Sequence, residues 1–197
     1  MGFKAIVFDM NGLFVEAPEL NLLKNICSIR GTGEWIAKSN YYLNLWNFER
    51  GFYSPYTFWK RVFVGISELE YKKLIEAHYE LKFLKNEALY ALLDIMAKKY
   101  DLYLLSNSNF LQGKAYRKQK LYAPFKEIFL SHEVQEIKPF PNIFNHFLEQ
   151  TKLKPNECVF VDDSTLNVLA SMALGFKGIV FQNNDDFEEK LKKMNIL

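Results

Sequence analysis

Short apolar segments alternate with amphipathic helices through the second half of the chain, and this alternation constrains the possible folds most strongly. Five apolar segments, including one near the N-terminus, have the length and the flanking turn residues of buried strands. They are Ala5–Phe8, 102–105, 128–130, 158–161 and 177–181. Because strands that alternate with helices form parallel sheets with right-handed crossovers, the sequence predicts an α/β fold with helices on both faces of a parallel sheet.

The segment from about residue 18 to residue 84 has a different pattern, because its apolar residues recur at helical spacing and no strand is predicted in it. Ser54 followed by Pro55 is typical of a helix start, and so is Ser67 with Glu70 three residues later. The predicted helices cover about 19–30, 34–49, 55–64 and 68–83.

This helical segment is expected to form a domain of its own, inserted after the first strand. Its Gly31-Thr32-Gly33 sequence has no strand before it, so it is interpreted as a helix stop and not as a nucleotide-binding loop. The predicted units are an α/β core of residues 1–16 and 85–197 and a helical domain of residues 17–84.

Composition limits the class of protein. The 197 residues are 49% hydrophobic and 24% charged, with a net charge of +2, which argues against a nucleic-acid or membrane partner. No apolar stretch approaches the roughly 18 residues of a membrane span. Cys27 and Cys158 are far apart and lack metal-ligand spacing, which favours reduced thiols in a cytoplasmic protein.

Polar side chains gather where the predicted strands end, and one lysine lies in the loop before the helix that begins at residue 141. These residues are Asp9, Ser106, Asn107, Lys138, Asp162 and Asp163. The carboxyl ends of parallel strands meet at one edge of the sheet, so these groups should share a crevice. Clustered carboxylates suit Mg²⁺, and a hydroxyl with an ammonium suits a phosphate. The combination predicts phosphoryl transfer through an aspartyl-phosphate.

Four motifs in this order resemble the haloacid dehalogenase (HAD) superfamily. They are Phe8-Asp9-Met10-Asn11-Gly12, Leu104-Leu105-Ser106-Asn107, Ile137-Lys138-Pro139, and Val161-Asp162-Asp163-Ser164-Thr165-Leu166-Asn167 followed by Ala170 and Gly175. The chain is most similar to the phosphatase-like branch, which includes the N-terminal phosphatase of epoxide hydrolases and sugar phosphatases. The resemblance implies a Rossmann-like, HAD-like parallel-sheet core with an inserted α-helical cap, and hydrolysis of a small phosphorylated metabolite.

The resemblance also implies roles for the motif residues. Asp9 is expected to be the nucleophile, Ser106 to bind the transferring phosphoryl group with help from Asn107, and Lys138 to neutralise charge on Asp9 and the phosphoryl oxygens. For the cofactor Mg²⁺, Asp9 and Asp163 are the expected ligands. Asp162 would join them directly or through water.

Asn11 departs from the pattern of the family, whose phosphatases usually carry a second Asp two residues after the nucleophile. The backbone carbonyl of Asn11 can still bind Mg²⁺, but its amide side chain cannot protonate a leaving oxygen or activate water. General acid–base catalysis is typically worth about 10²–10⁴-fold in rate. We therefore expect a surviving metal site and impaired turnover.

Four interpretations of Asn11 remain open at the level of sequence. The protein is a slow phosphatase that works best on esters whose leaving group needs no proton, or a non-catalytic protein that binds a phosphorylated ligand or a protein partner. Alternatively, Asn11 is an engineered change that traps an intermediate, or the protein is a 2-haloacid dehalogenase. The acidic pair Asp162-Asp163 argues against the dehalogenase, which needs no Mg²⁺.

The other candidate residues give weaker signals. His78, His132 and His146 lie in separate segments, so they are interpreted as surface or packing residues. Asn167 is expected to form a hydrogen bond near the metal and not to ligate it. Arg50 is an alternative contact for a substrate anion. The aromatic residues of the helical segment are predicted to pack in its core, with a substrate-facing wall as the alternative; they are Trp35, Tyr41, Tyr42, Trp46 and Trp59.

Overall fold

The computed structural model describes residues 2–16, 19–31 and 33–197. Thr32 of the predicted helix stop, and residues 17–18 at the predicted start of the helical domain, lie outside the described residues. We call the described residues between 19 and 84 the helical segment.

The sheet has five parallel strands in the order β3-β2-β1-β4-β5. The strands are β1 Ala5–Phe8, β2 Asp101–Ser106, β3 Glu127–Leu130, β4 Cys158–Asp162 and β5 Lys177–Val180. Strand β1 is central and every residue of it is buried, as expected for a parallel sheet covered on both faces. The predicted α/β fold is confirmed, with each predicted strand within one residue of its observed ends.

Ten helices surround and extend this sheet within the described residues. Those of the helical segment are α1 Glu19–Arg30, α2 Glu34–Glu49, α3 Pro55–Val62 and α4 Glu68–Glu80. The others are α5 Glu87–Met96, α6 Phe110–Lys118, α7 Ser131–Val134, α8 Pro141–Thr151, α9 Thr165–Ala173 and α10 Asn184–Lys193, with a 3₁₀ turn at Pro155–Glu157.

The predicted helix starts in the helical segment are confirmed by their hydrogen bonds. Ser54 Oγ accepts from the Thr57 amide at 3.1 Å. Ser67 and Glu70 form the reciprocal capping box, with the Ser67 amide donating to Glu70 Oε2 at 2.8 Å. Each bond satisfies an amide that the first helical turn leaves without an intrahelical partner, which is why the helices begin there.

Several boundaries differ from the prediction. Helices α3 and α4 end two and three residues earlier than expected, and α7 and the 3₁₀ turn are too short to show a helical period in the sequence. Helix α10 begins at Asn184, three residues before the predicted start. Its first turn is polar and is held by Asn183, whose side chain accepts from the Asp186 amide at 3.0 Å.

The hydrophobic core divides into three clusters. Two cover the faces of the sheet, and the third lies within the helical segment. In this third cluster Phe48 and Phe58 stack with ring centroids 4.1 Å apart, and Trp59 packs beside them. This cluster is separate from the two on the sheet, although Leu111 of α6 also joins it.

The aromatic residues of the helical segment have two environments. Tyr41 and Trp59 are buried, in agreement with the core-packing prediction. Trp35, Tyr42 and Trp46 are more than half exposed, so for these three residues that prediction is wrong. They lie on an exposed face of α2, and the ring centroid of Trp46 is 5.5 Å from that of Phe140, just before α8.

Among the residues that the structure describes, no helix combines the length and the apolar character needed to cross a membrane.

Candidate active site

The carboxyl edge of the sheet brings the predicted residues together. Asp9 directly follows β1, and its amide donates to the Val161 carbonyl of β4 at 2.9 Å. Ser106 ends β2 and Asp162 ends β4. Because β1 pairs with both of these strands, the three side chains leave the sheet at neighbouring positions.

Lys138 is the centre of the site. Its Nζ donates to Asp9 Oδ1 at 2.8 Å and to Asp162 Oδ2 at 2.6 Å, and only 3% of the residue is exposed. Burial by itself lowers the pKa of the Lys138 ammonium, but Asp162 and Asp9 outweigh it and raise that pKa above its ordinary value. Lys138 is therefore a fixed positive charge beside the proposed nucleophile.

The Asp9 carboxyl has a pKa raised to about 6. Burial is the largest cause and repulsion from Asp162 adds to it, while the Lys138 charge and the Ser106 hydroxyl act in the opposite direction. Burial also raises the pKa of Asp163, again with a contribution from Asp162. The site therefore holds more negative charge than Lys138 neutralises.

These carboxylates fit a hard cation. One oxygen from each of Asp9, Asp162 and Asp163 lies within 4.8 Å of the others. Oxygen donors of this kind are what Mg²⁺ prefers, and a cation among them would offset the repulsion from Asp162 that helps to raise the pKa values of Asp9 and Asp163.

Asp162 differs from the other two acids because protein donors occupy both of its oxygens. Oδ1 accepts from the Ser164 amide at 2.8 Å and Oδ2 accepts from Lys138, while Asn167 Nδ2 donates to both oxygens at 3.2 and 3.1 Å. Asn167 therefore forms a hydrogen bond to one of the clustered acids, as expected. These contacts favour the water-mediated alternative for Asp162 in the predicted metal site.

Asn107 holds the loop that carries Lys138. Its Oδ1 accepts from the Lys138 amide at 2.9 Å, and its Nδ2 donates to the Lys138 carbonyl at 3.0 Å. The sequence suggested that Asn107 assists phosphate binding. In the structure its amide side chain is bonded to the Lys138 backbone, so its first effect is to position Lys138.

Gly12 lets the chain turn tightly beside the acids. Its φ is +77°, and a Cβ at this position would overlap the Asp163 carboxylate. Glycine is needed here for two reasons. Other residues rarely adopt this φ, and the Cβ of any other residue would occupy the space of the Asp163 carboxylate.

Asn11 lies between this turn and α6. Its Oδ1 accepts a hydrogen bond from the Tyr116 hydroxyl at 2.7 Å. Tyr116 is 1% exposed and packs edge-on against Phe83, with ring centroids 4.7 Å apart. Sequence reasoning missed Tyr116, which is 105 residues from Asn11 and belongs to no motif.

The end of α2 contacts the loop that leads to Lys138. Arg50 Nε donates to the Gln135 carbonyl at 3.2 Å, and Arg50 lies 3.7 Å from Glu136. Arg50 is therefore bonded to the α/β core. The sequence alone also allows a contact between Arg50 and a substrate anion. Ser131 Oγ joins the two parts as well, because it contacts the Glu49 carbonyl at 2.6 Å and accepts from the Ser108 amide at 2.8 Å.

The histidines are away from this cluster. His78 and His132 are buried, and burial lowers the pKa of both. His132 packs against Phe110, with ring centroids 4.8 Å apart, and His146 is half-buried on α8. These positions agree with the packing interpretation.

Comparison with known proteins identifies a family for this constellation. The sequence model of the haloacid dehalogenase-like hydrolases matches residues 3–175. The chain is 30% identical over 103 residues to D-ribitol-5-phosphate phosphatase of Bacteroides thetaiotaomicron, which is 49% of this chain and 50% of that protein. It is 36% identical over 70 residues to bifunctional epoxide hydrolase 2 of Mus musculus, covering 36% and 13%. These matches span half or less of each curated relative.

Solved structures share the fold over nearly the whole chain. A HAD family enzyme from Bacteroides thetaiotaomicron, in complex with magnesium and inorganic phosphate, gives a TM-score of 0.78 at 23% identity, covering 96% of this chain and 99% of that one. L-2-haloacid dehalogenase from Xanthobacter autotrophicus gives 0.67 at 16% identity, covering 99% and 84%. The family match over residues 3–175 establishes that the chain belongs to the haloacid dehalogenase-like hydrolases.

Proposed function

We propose that this protein is a Mg²⁺-dependent phosphatase that acts on small phosphorylated metabolites through a phosphorylated Asp9. The observation that carries the proposal is the buried Lys138, which binds Asp9 and Asp162 at once. A lysine fixed there holds the nucleophile and offers positive charge to the phosphoryl oxygens that approach it. The named activity of the ribitol-phosphate relative and the magnesium and phosphate of the structural neighbour support the same class.

In the first step the Asp9 carboxylate attacks phosphorus, and the bond from phosphorus to the leaving oxygen breaks with its electron pair on that oxygen. Lys138 stabilises the charge that develops on the phosphoryl group, and Ser106, at the end of β2, would donate a hydrogen bond to it. In the second step water attacks the phosphorus of phospho-Asp9, the bond from phosphorus to the Asp9 oxygen breaks, and its electron pair returns to the Asp9 carboxylate. The proton that the water loses passes to solvent, because Asn11 cannot accept it.

A bound Mg²⁺ would be held by Asp9, Asp163 and the backbone carbonyl of Asn11. It would supply positive charge that favours the ionised form of Asp9 and draws the phosphate into the site. This chain supplies the orientation, because Asn107 and Asp162 fix Lys138 while Gly12 leaves room for the Asp163 carboxylate.

Asn11 supports a second candidate, a non-catalytic protein that binds a phosphorylated ligand. An amide there cannot donate and recover a proton, so a ligand could be held without turnover. The dehalogenase alternative is weaker, because the three clustered acids match a metal-dependent site and not a metal-free one.

The test is release of phosphate from p-nitrophenyl phosphate and from acetyl phosphate, with and without Mg²⁺. We expect Mg²⁺-dependent release that Asp9→Asn abolishes. Asp94→Asn, which removes an exposed carboxylate on α5, is the matched control and should retain full activity.

Other outcomes identify the alternatives. Thermal stabilisation by phosphate and Mg²⁺ without any turnover would establish the binding protein. Metal-independent halide release from a 2-haloacid would establish the dehalogenase. Activity that survives Asp9→Asn would exclude the proposed nucleophile.

A further inference from the structure

The hydrogen bond between Tyr116 and Asn11 determines which atom of Asn11 can face a substrate. Tyr116 occupies the carbonyl oxygen Oδ1 at 2.7 Å. Across the described part of the chain, Asn11 Nδ2 has no hydrogen-bond acceptor, and Asn11 is only half-buried. The free group of Asn11 is therefore a donor, two residues from the nucleophile.

Tyr116 is well suited to hold the amide in this orientation. Its ring is almost fully buried on α6, edge-on to Phe83 and 5.9 Å from the ring of Tyr122. A side chain packed in this way has little freedom to move, so its hydroxyl stays at one place. The orientation of Asn11 is therefore set by the core.

We propose that Tyr116 positions Asn11 as a fixed hydrogen-bond donor and that this makes the site selective for phosphates with acidic leaving groups, above all acyl phosphates. The inference rests on the proposed phosphatase function. It adds a positioning residue, Tyr116, and names the class of substrate.

The chemistry of the leaving groups gives the reason. A carboxylic acid has a pKa of about 4, whereas an alcohol is nearly as weak an acid as water, at about 16. When Asp9 attacks an acyl phosphate, the bond from phosphorus to the acyl oxygen breaks, and the carboxylate leaves with the electron pair and needs no proton. A hydrogen bond from Asn11 Nδ2 is then sufficient, because it stabilises the charge on the departing oxygen without transferring a proton.

A sugar or other alkyl phosphate makes a demand that Asn11 cannot meet. Its leaving alkoxide must gain a proton, and an amide does not supply one. Alkyl phosphates should therefore react more slowly than acyl phosphates by about 10²-fold or more, the lower end of what a general acid contributes.

The experiment measures kcat and KM for acetyl phosphate, for aryl phosphates of graded leaving-group acidity, and for ribitol 5-phosphate. In the wild-type protein kcat/KM should fall steeply as the leaving group becomes less acidic. Tyr116→Phe should lower kcat/KM for acetyl phosphate about tenfold with kcat little changed, because hydrolysis of phospho-Asp9 limits kcat. The loss should be less than the roughly 10²–10³-fold cost of deleting such a donor outright, because the amide remains but is no longer oriented.

Tyr90→Phe is the matched control. Tyr90 is partly buried on α5 and donates to the Leu121 carbonyl at 3.0 Å, so this variant also loses one tyrosine hydrogen bond but leaves Asn11 untouched. It should keep wild-type kcat and kcat/KM on every substrate. Asn11→Asp should reduce the dependence on the leaving group, because it supplies the missing acid.

The outcomes separate this inference from the proposed function. Turnover that depends on Asp9, combined with equal kcat/KM for acetyl phosphate and ribitol 5-phosphate, would overturn the inference alone. Identical kcat/KM in Tyr116→Phe and Tyr90→Phe would overturn the role of Tyr116. If Tyr116→Phe does not fold, Asn11→Ala replaces it: a loss of kcat/KM for acetyl phosphate supports the donor role, and an unchanged kcat/KM contradicts it. Absence of any Asp9-dependent turnover overturns the inference together with the proposed function.

Discussion

At the scale of single residues, the site depends on one buried cation and the acids around it. Lys138 is bonded to Asp9 and Asp162, and Asp163 adds a third negative charge nearby. Removing one partner from a buried ion pair leaves the other without compensation, so Lys138, Asp9 and Asp162 each keep the other two in place. Asn11, by contrast, can be changed without unpairing a charge.

Asn11→Asp should raise the rate on alkyl phosphates. The new carboxyl can donate a proton to the leaving oxygen and then activate water, so we expect a gain of at least about tenfold, within the 10²–10⁴-fold range of general acid–base catalysis if the geometry is ideal. The measurement is steady-state phosphate release from ribitol 5-phosphate at saturating Mg²⁺. Asn142→Asp, on the exposed first turn of α8, is the control, and equal rates in all three proteins would contradict this reading of position 11.

Gly12→Ala should damage the metal site as well as the fold. A positive φ costs a residue with a Cβ roughly 1–2 kcal/mol, and here the Cβ would also overlap Asp163. Gly65→Ala separates the two effects, because Gly65 has a similar φ of +73° and nothing within 4 Å of the added Cβ. Denaturant unfolding should show a loss of stability in both variants, and titration calorimetry should show weakened Mg²⁺ binding in Gly12→Ala only. Unchanged Mg²⁺ affinity in Gly12→Ala would show that Asp163 does not bind the metal.

At the scale of elements, the loops at the carboxyl edge are held to each other and not only to their own strands. The side chain of Asn107, after β2, forms two hydrogen bonds to the backbone of Lys138, which precedes α8. Ser131, at the start of α7, contacts both the loop after β2 and the end of α2. The position of Lys138 is therefore fixed by contacts between elements that are distant in sequence.

Asn107→Ala should loosen this arrangement. It removes two hydrogen bonds and leaves the Lys138 amide without its partner, which should cost about 1–3 kcal/mol of stability. A displaced Lys138 should also lower kcat by about tenfold or more, since catalysis is sensitive to small errors of position. Asn142→Ala removes a single exposed bond to Glu136 and should change neither quantity. Chemical denaturation and steady-state kinetics on the three proteins provide the test. A wild-type kcat in Asn107→Ala would show that the two hydrogen bonds from Asn107 do not position Lys138.

The sequence predicted those elements that carry a strong local signal. The five strands follow from apolar runs, and Ser67 with Glu70 marks the start of α4. The sequence did not predict elements with a weak local signal. Helix α7 has only four residues, and the first turn of α10 is polar. The motifs predicted which residues meet at the carboxyl edge, because the topology of a parallel sheet requires it.

Contacts between distant residues could not be predicted in the same way. The bonds from Asn107 to Lys138 and from Tyr116 to Asn11 span 31 and 105 residues, and neither pair has a spacing that a local rule recognises. The saturation of Asp162 by Lys138, Asn167 and Ser164 also requires the folded geometry. Sequence therefore predicts the members of the site, and structure shows how they are oriented.

At the scale of the whole molecule, the charge of the site makes the stability of the fold depend on the protonation of Asp9 and on Mg²⁺ binding. Burial raises the pKa of Asp9 to about 6. The ordinary pKa of an aspartate is about 4. At pH values between about 4 and 6, Asp9 therefore holds a proton in the folded protein but has released it in the unfolded chain. The contribution of Asp9 to the stability of the metal-free protein is therefore complete at low pH and is lost as the pH rises through about 6.

Mg²⁺ should reverse this loss. Because it binds the ionised carboxylate, its stabilising effect should be small below the pKa of Asp9 and large above it. The increase in Tm caused by saturating Mg²⁺ should therefore be larger at about pH 7.5 than at about pH 5. Differential scanning calorimetry with and without the metal measures both increases. Equal increases at the two pH values would show that Asp9 is not a ligand, and Asp9→Asn should reduce the pH dependence to the part that Asp163 contributes.

The most direct test of the account is detection of phosphate on Asp9 itself. The protein is mixed with acetyl phosphate and Mg²⁺, quenched rapidly in acid, digested and examined by mass spectrometry. We predict one phosphoryl group on the peptide that contains Asp9, formed before phosphate is released and absent from Asp9→Asn. Since Asn11 cannot activate water, this intermediate should accumulate in the wild type and turn over faster in Asn11→Asp. Release of phosphate with no phosphorylated Asp9 at any time, or undiminished release by Asp9→Asn, would contradict the account.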